Sequence, residues 1–95
     1  MIKNSWNLNN YQMQPRKFAI YPERTKIIYP ALGLAGEGGE VADKVKKIYR
    51  DGRDDAKFKG EIAKEIGDVL WYCAMLAEDL GFSLQQVAEM NIYKL

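Results

Sequence analysis

The sequence predicts an all-α fold, a helical bundle of about four helices. Apolar residues recur at intervals of three and four, and no segment alternates with the period of a strand. Proline, glycine and capping residues divide the chain into helix-sized segments. Its 95 residues, of which 47% are hydrophobic, make one domain (1–95) with a small core. We therefore expect self-association to complete the bundle.

The first predicted helix is Leu8–Phe18, with Asn7 as its cap. Residues 1–7 are mostly polar, and we expect them to fray. Pro15 predicts a kink or a break in this helix, because proline lacks an amide donor and clashes with the preceding turn.

The second predicted helix starts at Pro22 of "YPER", since proline suits the first helical position. Pro30 predicts either a kink or a new start. The helix is expected to end near Arg50, where "RDGRDD" supplies a terminating glycine and new caps at Asp54 or Asp55.

The third predicted helix, about Ala56 to Leu80, is long and contains no proline. The last helix follows "GFSLQQ", in which Ser83 and Gln86 have the spacing of a capping box. These boundaries complete a four-helix prediction.

The composition excludes several classes of function. Fourteen basic and thirteen acidic residues give a net charge of +1, which predicts no binding of nucleic acid or anionic membranes. No apolar run is long enough to span a bilayer, and no secretory signal is evident. The single cysteine, Cys73, lies among apolar residues and predicts a cytoplasmic protein. The absence of histidine excludes serine–histidine and cysteine–histidine catalysis within the chain.

Helical periodicity places acidic residues beside the apolar faces of the two long helices. The apolar positions are Leu34, Val41, Val45 and Ile48 in the second helix, and Ile62, Ile66, Val69, Cys73, Leu76 and Leu80 in the third. The adjoining strips contain Glu37, Glu40 and Lys44, and then Glu61, Glu65, Asp68 and Tyr72. Carboxylates three residues apart at a core margin are costly unless a cation compensates them. They therefore indicate a site for a hard divalent ion such as Mg²⁺. The alternative is an ordinary solvated face, with Glu40 paired to Lys44.

The segment "GLAGEGGE" has two interpretations, a phosphate-binding loop or a glycine-rich helix. No strand precedes it and no Gly-Lys-Ser/Thr follows, so the helix is favoured. Each glycine costs about 1 kcal/mol relative to alanine in a helix. Gly33 projects onto the strip of Glu37 and Glu40, where a missing side chain would let a helix or a ligand approach closely.

These motifs resemble those of the MazG-like all-α nucleoside triphosphate pyrophosphohydrolases, in particular the short single-domain type. The family signature is Glu-x-x-Glu, a spacer and Glu-x-x-Asp. The chain has "EGGE" at Glu37 and Glu40, within "YPALGLAGEGGEVADKVKKIYRDG", and "EIGD" at Glu65 and Asp68, within "EIAKEIGDVLWY". The resemblance covers about residues 9–95.

The resemblance implies a helical homodimer or homotetramer that hydrolyses a nucleoside triphosphate between its α and β phosphates, giving the monophosphate and pyrophosphate. It implies that Glu37, Glu40, Glu65 and Asp68 hold Mg²⁺, with Mn²⁺ as an alternative, and that one glutamate orients or deprotonates the attacking water. The expected role is clearance of nucleotides from the cellular pool.

The resemblance and the strip positions also indicate substrate-binding residues: Lys44, Lys47, Tyr72, Asn91 and Lys94. Glu61 is interpreted as a further ligand, a supporting group or a surface acid. Trp71 is expected at a subunit interface. Two alternatives to catalysis remain, a non-catalytic helical nucleotide-binding or regulatory module, and a structural bundle whose acids serve solubility.

Overall fold

The computed structural model describes residues 5–18, 20–52 and 56–95, apart from the side chain of Phe18. These ranges contain four α-helices, one 3₁₀ turn and no strand: α1 (Leu8–Phe18), the turn Glu23–Thr25, α2 (Ile28–Asp51), α3 (Ala56–Asp79) and α4 (Leu84–Lys94). The predicted all-α bundle is confirmed. None of the described helices combines the length and the apolar character that crossing a bilayer requires.

Helix α1 has the predicted bounds and the predicted cap. The Asn7 side-chain oxygen accepts hydrogen bonds from the amides of Asn9 at 2.9 Å and Asn10 at 3.4 Å. The helix continues through Pro15, so the predicted break does not occur. The Pro15 ring is fully buried, and this packing offsets the lost backbone hydrogen bond.

The predicted start of the second helix at Pro22 is wrong. Pro22 precedes the 3₁₀ turn Glu23–Thr25, and α2 begins only at Ile28. Pro30 is the third residue of α2, where an amide would have no partner within the helix. The restart interpretation of Pro30 is therefore confirmed.

A strained turn separates the 3₁₀ turn from α2. Ile27 has φ 70° and ψ −53°, and the amide of Ile28 donates to the carbonyl of Lys26 at 2.8 Å. This is a γ-turn of the rare positive-φ type, which is unfavourable for a β-branched residue. The Asp79 carboxylate, at the end of α3, accepts from the Ile27 amide at 2.9 Å and from the Tyr21 hydroxyl at 2.7 Å. One carboxylate therefore holds this turn against α3.

The remaining helix ends follow local signals. Gly52 ends α2 with a left-handed conformation at φ 65°, as glycine readily does. Both reciprocal hydrogen bonds of the capping box between Ser83 and Gln86 are present at the start of α4. The predicted caps Asp54 and Asp55 lie outside the described residues.

The fully buried part of the core lies at the C-terminal half of α3, against α1 and α4. Its buried apolar side chains are Ala74, Met75, Ala77 and Leu84. The predicted apolar face of α3 is therefore only partly correct, because Ile66 is 55% exposed and Leu80 is 51% exposed. Which residues of α3 are buried depends on the helices that pack against it. The periodicity of a single helix does not specify where those neighbouring helices lie.

The buried side chain of Gln12 links three helices. Its amide nitrogen donates to the Ala74 carbonyl of α3 at 3.1 Å and reaches the Phe82 carbonyl at 3.4 Å. Its amide oxygen accepts from the Leu84 amide of α4 at 2.7 Å. Gln12 is 3% exposed, so these bonds satisfy backbone groups that water does not reach.

Candidate metal centre and adjoining cavity

Helices α2 and α3 form an antiparallel hairpin that brings the two acidic strips together. Lys44 lies opposite Glu61, with 3.9 Å between nitrogen and oxygen. Further toward the start of α2, Gly33 lies against the ring of Tyr72. Moving backward along α2 therefore corresponds to moving forward along α3, and Glu37 lies between these two contacts.

Three carboxylates converge at this level, from Glu37, Glu65 and Asp68, and we call them the acidic cluster. One oxygen from each lies within 4.8 Å of the others. Glu37 and Glu65 are half-buried, whereas Asp68 is exposed. The cluster thus has one side open to a ligand.

The electrostatics of the cluster favour a bound cation. The pKa of Glu37 is raised first by burial and then by the charges of Asp68, Glu65 and Glu40. The neighbouring carboxylates therefore destabilise the ionised form of Glu37. All donors are carboxylate oxygens, which Mg²⁺ and other hard cations prefer. The residues present fit a divalent ion.

The fourth predicted ligand, Glu40, is outside this cluster. Its side chain is exposed one turn along α2, although its charge contributes to the raised pKa of Glu37. The structure thus brings together three of the four predicted metal ligands.

The two predicted phosphate-binding lysines have carboxylate neighbours. Lys44 lies near Glu61 of α3. It does not pair with Glu40 along α2, which the alternative of a solvated face had predicted. Glu61 therefore contributes a weak contact between the two helices. Lys47 forms an ion pair of 2.8 Å with Asp43.

The other two predicted phosphate-binding residues, Asn91 and Lys94, are exposed near the end of α4. Among the described residues, neither makes a hydrogen bond or an ion pair with an acidic side chain. The structure therefore does not join them to the acidic cluster.

Tyr72 adjoins the acidic cluster. Its pKa is raised by burial first, then by Tyr29, and also by the charges of Glu37 and Asp68. A β-carbon on Gly33 would lie within 2.6 Å of three atoms of the Tyr72 ring. Gly33 therefore permits the close approach of one aromatic side chain. The sequence had indicated only that a helix or a ligand could approach at this position.

Tyr11 of α1 also lies near the cluster, a position that the sequence prediction did not assign. Its pKa is raised by burial first and then by the charges of Asp68 and Cys73. Its ring packs edge-on against Trp6, with 6.3 Å between centroids. This placement depends on the packing of α1 against α3, which the sequence pattern of one helix does not specify.

A cavity of about 470 Å³ lies between residues 20–25, the start of α2 and the middle of α3, and we call it the aromatic cavity. Residues in its wall include Tyr21, Arg24, Tyr29, Trp71, Tyr72 and Met75. Tyr72 belongs both to this wall and to the margin of the acidic cluster. Trp71, expected at a subunit interface, is half-buried in the cavity wall.

Comparisons with known proteins identify the family of the chain. The model of the MazG nucleotide pyrophosphohydrolase domain matches residues 30–95, which contain all four signature acids. The chain is also 40% identical over 93 residues to the Gene 37 protein of Mycobacterium phage L5, covering 90% of this chain and 82% of that protein. No solved structure matches. The chain therefore belongs to the MazG nucleotide pyrophosphohydrolase family.

Proposed function

We propose that this protein is a Mg²⁺-dependent nucleoside triphosphate pyrophosphohydrolase that cleaves between the α and β phosphates. The products would be the nucleoside monophosphate and pyrophosphate. The observation that carries the proposal is the acidic cluster, in which Glu37, Glu65 and Asp68 offer three oxygens within 4.8 Å of one another. Membership of the family supports the same reaction.

The acidic cluster would hold the ion, with Mn²⁺ as an alternative to Mg²⁺. When bound, such an ion neutralises phosphate charge and activates water for attack on phosphorus. Glu40 stays in the proposed ligand set because its charge acts on Glu37 from one turn away. This chemistry needs no histidine, in agreement with the composition.

The surrounding side chains would position the triphosphate. Lys44, half-buried beside Glu61, would offer its ammonium group to phosphate oxygens near the cluster. Lys47 would do so after leaving Asp43. Asn91 and Lys94 would contribute only if a second subunit brought them to the site, so for them the proposal depends on a homodimer or homotetramer. A cytoplasmic enzyme acting on the nucleotide pool would combine these properties.

The decisive experiment measures pyrophosphate release from a panel of ribo- and deoxynucleoside triphosphates with Mg²⁺ or Mn²⁺. We expect turnover by the wild type, and losses of at least a hundred-fold in Glu37→Gln and Asp68→Asn. The matched control is Glu89→Gln, a change at an exposed carboxylate of α4. Release of orthophosphate in place of pyrophosphate, or no release from any nucleotide, would refute the proposal.

Ion binding gives a second test that does not depend on activity. Because the native cluster holds a cation better than the unfolded chain does, Mg²⁺ should raise the melting temperature of the wild type. The rise should disappear in Glu37→Gln and persist in Glu89→Gln. Stabilisation by Mg²⁺ and nucleotide without turnover would instead indicate a non-catalytic nucleotide-binding module.

A further inference from the structure

We propose that the outer face of α2 is an interface at which a second copy of the chain packs, with the two α2 helices antiparallel about a two-fold axis near Ala35. The outer face is the side of α2 that points away from α3. Its residues, all exposed, are Ile28, Leu32, Ala35, Gly39 and Ala42. The inference goes beyond the proposed function, because it concerns the assembly of the chain and depends on no reaction.

The fold exposes more surface than a compact monomer of this length. The accessible surface is 7213 Å², whereas a folded monomer of this size exposes about 5,600 Å². The radius of gyration is 15.3 Å, against about 12 Å for a compact domain of the same length. The excess of about 1,600 Å² is larger than the area of about 800 Å² that each partner buries in a standard interface. One copy therefore has enough uncovered surface for a stable dimer.

Helix α2 has a closely packed helix on one side only. It packs along α3, whereas α1 and α4 pack on α3 and on each other, and no other described helix packs on α2 to a comparable extent. The side toward α3 carries Gly33, which lies against the Tyr72 ring, and Glu37 of the acidic cluster. Ala35 is two residues from both Gly33 and Glu37, which is about 200° around the helix. The outer face therefore points away from α3 and from the acidic cluster.

The outer face has the pattern of a helix that packs against another helix. Alternating intervals of four and three, the spacing of a coiled-coil interface, separate Ile28, Leu32, Ala35, Gly39 and Ala42. Ile28 is 61% exposed and Leu32 is 69% exposed, and a β-carbon at Gly39 would meet nothing within 4 Å. Burying large apolar side chains of this kind is favourable. Since the chain does not cover this face itself, a partner is required to do so.

The order of side-chain sizes on the outer face makes it complementary to itself. The large residues Ile28 and Leu32 lie toward the start of α2, and the small residues Gly39 and Ala42 lie further along. An antiparallel pair about Ala35 sets Ile28 opposite Ala42. It also sets Leu32 opposite Gly39, so that each large side chain packs beside a small one. This self-complementarity is what a two-fold interface between identical chains requires, and it identifies a second copy as the partner.

Sedimentation equilibrium of the full-length protein tests the interface. We expect the wild type to have the mass of an even number of copies. Leu32→Asp should have half that mass, because its carboxylate would be buried without a counter-charge in the interface. The matched control is Met90→Asp, at an apolar side chain of α4 that is 56% exposed, and it should keep the wild-type mass. Circular dichroism establishes that both variants are helical.

Disulfide formation between copies tests the antiparallel register. The background is Cys73→Ser, which removes the single cysteine of the chain. In Ala35→Cys the two thiols would lie beside the two-fold axis, close enough for a disulfide, so oxidation should link two chains. The matched control is Ala42→Cys, on the same face but about 20 Å along the helix axis from its own copy, and it should stay unlinked. Mixed with Ile28→Cys, however, Ala42→Cys should form a link between the two variants.

Three results would overturn the inference: a wild type that stays monomeric, dissociation by Met90→Asp but not by Leu32→Asp, or linkage of Ala42→Cys as efficient as that of Ala35→Cys. The last of these would indicate parallel helices. Pyrophosphate release by a protein that does not pair through α2 would refute the interface and leave the proposed function standing. Pairing through α2 without pyrophosphate release would support the interface and refute the activity. The two proposals can therefore fail separately.

Discussion

Replacing Gly33 with alanine tests the contact that seats Tyr72 between the acidic cluster and the aromatic cavity. The new β-carbon would lie within 2.6 Å of three atoms of the Tyr72 ring, closer than van der Waals contact allows. The Tyr72 ring would have to move, and the ring of Tyr29, with 6.4 Å between centroids, is one of its neighbours. The change adds one methyl group where α2 packs against Tyr72 of α3.

The magnitude follows from comparison with Gly36→Ala on the same helix. A β-carbon at Gly36 meets nothing within 4 Å, so this control gains only the helix propensity of alanine, about 1 kcal/mol. Gly33→Ala has the same gain but also an overpacking cost of about 1–3 kcal/mol. It should therefore be less stable than Gly36→Ala by about 1–3 kcal/mol. In a domain of this size each kcal/mol corresponds to about 4–8 °C in Tm.

The assay is urea denaturation followed by far-ultraviolet circular dichroism, at matched protein concentrations because self-association would add to stability. Gly39→Ala is a second control, since a β-carbon there also meets nothing within 4 Å. Gly33→Ala should in addition alter the Trp71 fluorescence, because Tyr72 and Trp71 share the cavity wall. Equal stabilisation by Gly33→Ala and both controls would show that Tyr72 does not pack against Gly33.

Three further predictions concern the contacts that join α3 to the rest of the chain. Gln12→Ala should lower the free energy of unfolding, measured by urea denaturation, by about 1–3 kcal/mol, because buried backbone groups of α3 and α4 lose their partner. The control Gln14→Ala, at an exposed site, should stay within about 0.5 kcal/mol of wild type in the same measurement. Asp79→Ala should cost about 1.5–3 kcal/mol by the same measurement, since the Ile27 amide and the Tyr21 hydroxyl lose a charged acceptor; no loss would refute the anchoring role. Burial and the hydrogen bond to Asp79 raise the pKa of Tyr21 above the usual 10.0, so its stabilisation is complete below pH 10 and is lost as the pH rises further. Tyr21→Phe should therefore weaken the fall in Tm above pH 10, and an unchanged fall would contradict this assignment.

Local signals in the sequence determined most helix boundaries. The cap at Asn7, the capping box at Ser83 and the glycine at 52 each act within a few residues, so their effects can be deduced without a fold. The start of α2 could not be deduced in this way. It depends on the positive φ of Ile27, which Asp79 stabilises from 52 residues away in the sequence.

The candidate site was predictable to a similar extent and for a related reason. Helical periodicity placed the acids of each helix on a single strip, and the antiparallel hairpin brings three of them together. Periodicity in one helix does not fix its register against another, so the sequence could not separate the exposed Glu40 from Glu37. The pairing of Lys44 with Glu61 could not be predicted for the same reason, because it also depends on the register of α2 against α3.

The anchoring of Ile27 and Tyr21 by Asp79 has a consequence for the order of folding. These hydrogen bonds join residues 52 and 58 positions apart, so they require closure of a long loop after α3 has formed. The segment before α2 should therefore become ordered late and open early in native-state fluctuations. Since this segment forms one wall of the aromatic cavity, hydrogen exchange at the Ile27 amide would report how often the cavity opens.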